Sequence, residues 1–131
     1  MNPAENAVVL TVPAEREMML VVRLTTSGAL ARSGLSVDVV SDVKLAAEEA
    51  CGCLMRASRC RSLRVSYWTE DDHFCLRAEM IACDCEDCES LLSDEELSVI
   101  RCVLSSMIDD VTLSFDDDRL RAIDMRQRLP R

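Results

Sequence analysis

The sequence predicts an α+β fold, a two-layer sandwich in which a mostly antiparallel sheet carries three helices on one face. Three observations predict it. The apolar periodicity runs in the order strand, helix, helix, strand, strand, helix, strand, strand. The paired strands are joined by short acidic segments that suit hairpin turns. The chain has 131 residues, 49% of them apolar and only 3% aromatic, so it suits a single domain over 1–131 with one core of aliphatic, Met and Cys side chains.

Ala7 to Val12 is an apolar run closed by Pro13, as expected of an edge or first strand. From Ala14 to about Arg32 the pattern is helical. Glu15 and Glu17 fall in its first turn, and Val21, Leu24, Gly28 and Ala31 on one stripe. Gly34 is placed to end that helix in a left-handed conformation. Ser36 reads as the N-cap of a second helix reaching about Ser58, with Val40, Val43, Ala47, Ala50 and Leu54 facing the core.

Leu63, Val65 and Tyr67 then alternate with Arg64, Ser66 and Trp68, and Phe74, Leu76, Ala78 and Met80 with Cys75, Arg77 and Glu79. These are two strands around the turn Glu70–Asp72. An acidic, cysteine-rich loop spans Cys83 to Ser90. Ser93 and Glu96 form a capping box that opens a third helix with the stripe Leu97, Ile100, Leu104 and Met107 or Ile108. A last hairpin, Val111–Phe115 and Leu120–Leu129, turns at Asp116–Asp118. Its alternation slips between Ala122 and Ile123, which predicts a bulge.

The net charge of −9 disfavours nucleic acid and anionic membrane surfaces as partners. No segment approaches the roughly 20 apolar residues of a membrane span, and the N-terminus lacks a basic segment followed by an apolar one. The expected localisation is cytoplasmic. In a reducing compartment the eight cysteines default to buried hydrophobes, metal ligands or redox groups rather than a disulfide scaffold.

The second helix reads Asp-Val-Lys-Leu-Ala-Ala-Glu-Glu-Ala-Cys from Asp42 to Cys51. The chain closes with Ile108-Asp-Asp-Val111 and Ala122-Ile-Asp-Met-Arg-Gln-Arg-Leu129, and Pro13-Ala14-Glu15 and Arg23-Leu24 mark the first helix. In this order the segments resemble the anti-sigma-factor serine-protein kinases, bacterial members of the histidine-kinase-like ATPase (GHKL) superfamily. The resemblance covers nearly the whole chain. It implies a histidine-kinase-like ATPase domain, and with it ATP and magnesium as cofactors of a serine kinase. It also implies a sigma factor or an anti-anti-sigma-type antagonist as protein partner, a role in transcription regulation, and a possible homodimer.

Carried over residue by residue, the resemblance also implies a degenerate ATP-binding site. Glu49 matches the family's general base. Cys53, one turn later, stands where the family has the magnesium-binding asparagine, and a neutral thiol is a poor ligand for a hard cation. Asp84 matches the adenine-binding aspartate, but Glu86 and Cys88 replace the glycines that follow it. The phosphate-cradling Gly-rich stretch is replaced by Ser93-Asp-Glu-Glu-Leu-Ser98. The only glycines are Gly28, Gly34 and Gly52, so no shift of register restores either glycine box. Residues 84–96 hold seven acidic and no basic residues, a charge of −7 that repels a triphosphate. Arg121 stands where the family has a threonine.

Other residues invite narrower readings. Cys53, Cys83, Cys85 and Cys88 make a four-sulfur set of the kind that holds zinc or an iron–sulfur centre. The surrounding acids disfavour thiolates, so free thiols filling an apolar gap are the simpler reading. His73 reads as a solvated turn residue. Arg64 and Trp68, on the non-core face of their strand, and Arg77 are candidate interface residues. Arg119, Arg121, Arg126 and Arg128 oppose the acidic loop in sign. The expectation is a regulator that holds a protein partner and has lost ATP binding and kinase activity. An active serine kinase based on Glu49, and a cysteine-based metal or redox sensor, are the alternatives.

Overall fold

The computed structural model describes residues 6–57, 60–83 and 92–130. Strand β1 (Val8–Pro13) leads through a 3₁₀ turn (Arg16–Met18) into helix α1 (Met19–Ala29), followed by α2 (Val37–Ala57). Strands β2 (Cys60–Glu70) and β3 (His73–Cys83) precede α3 (Asp94–Ser105), and β4 (Asp110–Asp116) and β5 (Arg119–Arg128) complete the described elements. The five strands form one sheet in the order β1-β2-β3-β5-β4, and every neighbouring pair is antiparallel. This is the expected α+β fold.

Both hairpins turn on two aspartates with positive φ: Asp71 and Asp72 at 49° and 58°, Asp117 and Asp118 at 50° and 66°. Two successive left-handed residues make the type I′ geometry whose twist matches the flanking strands. Aspartate adopts it more readily than most residues, which explains tight turns here without glycine. The predicted bulge is present one residue earlier than expected. Ser114 pairs with Ala122 but Phe115 with Leu120, so Arg121 is the extra residue. That extra residue lets Leu120 and Ile123 both reach the core.

The core lies between the helices and one face of the sheet. Val43, Ala47, Ala50 and Leu54 of α2 are fully buried, with Ile100 and Leu104 of α3, against Leu63, Val65, Tyr67, Leu76, Ile123 and Met125. The expected stripes of α2 and α3 are therefore correct. Ser36 caps α2, its hydroxyl accepting from Val39 N–H at 3.3 Å. The capping box of α3 is complete: Ser93 Oγ accepts from Glu96 N–H at 3.1 Å, and the Glu96 carboxylate accepts from Ser93 N–H at 3.3 Å.

Helix α1 departs from the prediction. It starts at Met19 rather than Ala14, and Glu15 and Glu17 lie outside it. Its buried side is Val22 and Thr26, with Leu30 just beyond, whereas Leu24 is 62% exposed and Gly28 faces solvent. The predicted stripe missed because the inward position is a polar residue. Thr26 is tolerated there because its hydroxyl is bonded to the Val22 carbonyl and the Tyr67 hydroxyl, each at 2.7 Å. Gly34 does take the left-handed conformation, at φ 77°, in the link to α2.

Candidate functional site

On α2, Glu49 and Cys53 are one turn apart and point the same way, as i, i+4 geometry requires. Cys53 Sγ is 3.9 Å from Glu49 Oε1, and Arg56 Nη2 donates to the same sulfur at 3.4 Å. Arg56 also lies 3.6 Å from Glu49 Oε1. Cys53 itself is fully buried. Burial pushes its thiol up to about 11, with the Glu49 charge adding to the rise and Arg56 opposing it. At neutral pH this is a thiol, not a thiolate, and it offers a hard cation no charged oxygen.

Glu49 and Arg56 open onto a cleft of about 500 Å³ between α2 and α3. Ser93, Glu95 and Glu96 line the far side, with Val99, Ile100 and Val103 along its floor. The N-terminus of α3 therefore faces the cleft. The capping box engages the Ser93 and Glu96 N–H groups, and Asp94, Glu95 and Glu96 set three carboxylates in that first turn. Chemically the described lining holds one cation, Arg56, with the acids Glu49, Glu95 and Glu96 and the apolar side chains of α3.

Of the sequence-predicted residues, the structure brings together Glu49 and Cys53. Asp84, Cys85 and Cys88 lie outside the described residues; of Cys83 only its place at the end of β3 is given. The four-sulfur set and the adenine-binding aspartate therefore have no described geometry. Among the described residues no group of three or more His, Cys, Asp or Glu side chains is arranged to hold a metal ion. Residues that sequence reasoning passed over are Arg56, which engages both Glu49 and Cys53, and the apolar floor of α3. Arg56 had a legible signal, since it lies three residues after Cys53 and seven after Glu49.

The candidate interface residues are differently placed. Arg64 is exposed. Trp68 is only 4% exposed, and its indole N–H donates to Glu70 Oε2 at 3.2 Å. Arg77 pairs with Glu79 at 3.3 Å and with Asp124 at 3.3 Å. Alternation places Ser66, Trp68, Cys75, Ala122 and Asp124 on the sheet face opposite the core cluster, yet all five are buried. That face is therefore partly enclosed. His73 is corrected: it opens β3, is half-buried, and its Nδ1 lies 2.7 Å from the Asp71 carbonyl and 3.1 Å from Arg126 Nη2. Arg121 is exposed at the bulge, 3.7 Å from Asp116.

The outer side of the helical layer carries exposed apolar side chains, of which Leu24 lay on the predicted stripe. Leu20 and Leu24, one turn apart on α1, are 56% and 62% exposed, and Leu45 of α2 is 53% exposed. Arg23 of α1 pairs with Glu48 of α2.

Two curated proteins share partial similarity with the chain. One is the serine-protein kinase RsbW of Halalkalibacterium halodurans, 50% identical over 42 residues, which is 32% of this chain and 26% of that protein. The other is the serine-protein kinase RsbW of Bacillus velezensis, 39% identical over 51 residues, 39% of this chain and 32% of that protein. The chain thus matches about a third or less of the length of these relatives. No protein-family model matches it. The likeness to these two serine-protein kinases is that of a shared stretch. No helix among the described residues is long and apolar enough to cross a membrane.

Proposed function

We propose that this protein is an anti-sigma-factor-like regulator that works by holding a protein partner, and that its cleft no longer handles ATP. The observation that carries the loss of ATP is the cleft wall itself. Where a triphosphate needs positive charge, the first turn of α3 presents three carboxylates and a capping box that engages two of its N–H groups. Where magnesium needs an oxygen ligand, Cys53 presents a buried neutral thiol. A base such as Glu49 has no work without a substrate held beside it.

The partial similarity to two RsbW serine-protein kinases supports the regulatory half of the reading. The exposed apolar pair Leu20 and Leu24 on α1 offers such a regulator an apolar contact surface. A sigma factor or its antagonist is the partner this reading implies. The contact would run over α1 rather than Trp68, which is enclosed.

Isothermal titration with magnesium-ATP tests the first half. The expected result is no binding tighter than about 1 mM, equivalent to about 4 kcal/mol. Tighter binding, with phosphate transfer to a partner serine that Glu49→Ala abolishes, would replace this reading with an active kinase.

A further inference from the structure

The sequence concentrates cysteines around the end of α2 and the loop after β3, and the function proposed above draws on Cys53 alone. The sheet register adds something that spacing does not show. Cys60, the first residue of β2, is the direct partner of Cys83, the last residue of β3. The pair keeps the register of Leu63 with Met80 and Arg64 with Glu79, the irregularity at Ser62 lying between them. Facing residues of an antiparallel ladder have Cα atoms about 4.5 to 5.5 Å apart. A disulfide spans Cα separations of roughly 4.4 to 6.8 Å. The backbone therefore sets two cysteines at bridging distance.

We propose that Cys60 and Cys83 are an oxidative modification site, a dithiol that closes into a cross-strand disulfide by exchange with a low-molecular-weight disulfide. One cysteine thiolate attacks a sulfur of the small disulfide, forming a mixed disulfide and expelling a thiolate. The second cysteine thiolate attacks the protein-bound sulfur and expels the other half. One sulfur–sulfur bond forms and one breaks, the two cysteines are oxidised and the small disulfide is reduced. The two cysteine protons end on the two small thiols released.

The position gives the bridge a consequence. Cys60 lies three residues beyond Ala57, where α2 ends, and Cys83 immediately precedes residues 84–91, which lead to the N-cap of α3. A bond there ties the start of β2, just after α2, to the end of β3. The described alternatives are poor ones. Cys51, Cys53 and Cys75 are fully buried, which shields them from an external disulfide, and Cys102 is exposed on α3 with no cysteine in its register. In a reducing compartment such a pair stays open at rest and closes only when the thiol pool is oxidised.

The test equilibrates the full chain, carrying Cys102→Ser to prevent links between molecules, in buffers of graded oxidised-to-reduced glutathione ratio. Samples are acid-quenched, alkylated and mapped by mass spectrometry. The expected result is a linked peptide joining Cys60 to Cys83, two hydrogens lighter than the reduced pair, that grows with the ratio and disappears with dithiothreitol. Cys60→Ser and Cys83→Ser, each checked for native circular dichroism, should abolish it. The proposal is overturned if Cys83 links to Cys85 or Cys88 while Cys60 stays alkylated. It is equally overturned if no Cys60–Cys83 link forms at any ratio.

Discussion

Removing either member of the Thr26–Tyr67 pair should destabilise the fold by unequal amounts, and removing both should cost less than the sum. Thr26 is 0% and Tyr67 2% exposed, so water replaces neither partner. The Thr26 hydroxyl has one proton, and the Val22 carbonyl at 2.7 Å takes it. Thr26 Oγ1 is then the acceptor for the Tyr67 O–H, also at 2.7 Å. Tyr67→Phe leaves Thr26 still bonded to Val22 and should cost about 1 kcal/mol, the net worth of one hydrogen bond. Thr26→Val leaves a phenolic O–H buried without an acceptor and should cost about 2 to 3 kcal/mol.

The double variant removes both polar groups, so the cycle should show a coupling of about 1 kcal/mol or more. Burial pushes the Tyr67 phenol up to about 12, so any stability tied to its proton is fully present below its ordinary value near 10. The ordering of the variants should therefore hold throughout the neutral range. Urea unfolding followed through Trp68, the single tryptophan, is the assay. With a slope of about 2 kcal/mol per molar urea, a 1 kcal/mol difference moves the midpoint by about 0.5 M. Strict additivity, or a Tyr67→Phe cost larger than that of Thr26→Val, would refute the assignment of donor and acceptor.

Two further outcomes follow from the same geometry. Replacing Asp71-Asp72 by Asn-Gly should raise stability by about 1 kcal/mol, because both positions have positive φ and the change also removes two adjacent like charges; calorimetry reads it directly. Burial holds the Asp124 carboxyl above its ordinary value against the opposing charge of Arg77. Stability linked to its proton is then present at acid pH and lost as pH rises through the raised value. Asp124→Asn should accordingly be the more stable form at neutral pH, with its advantage vanishing on acidification, as denaturant titrations at several pH values would show.

Much of this molecule is legible in one dimension because its local signals agree. The α2 stripe, the Ser93–Glu96 box and the alternation of β2 and β3 each depend on neighbours within a turn or a strand, so spacing alone places them. Two acidic turns were readable as turns, but their aspartates bend without glycine, and only backbone angles show that. Helix α1 resisted for a different reason. Its inward position is Thr26, whose hydroxyl is satisfied in part by Tyr67, 41 residues away, and no window along the chain contains that partner. The same lack of long-range information made Trp68 read as surface, since alternation reports which face a side chain takes but not whether that face is covered.

The sequence by itself determined the α+β class, the element order, and the residue types at the cleft: Glu49 one turn from Cys53, and no glycine after Gly52. Those follow from composition and short-range spacing, which a linear chain states outright. Tertiary structure decided that Arg56 engages both Glu49 and Cys53, that α3 turns a closed capping box toward them, and that Cys60 faces Cys83. Each of these is a meeting between elements, and burial, ion pairing and cross-strand register exist only once the chain has folded back on itself.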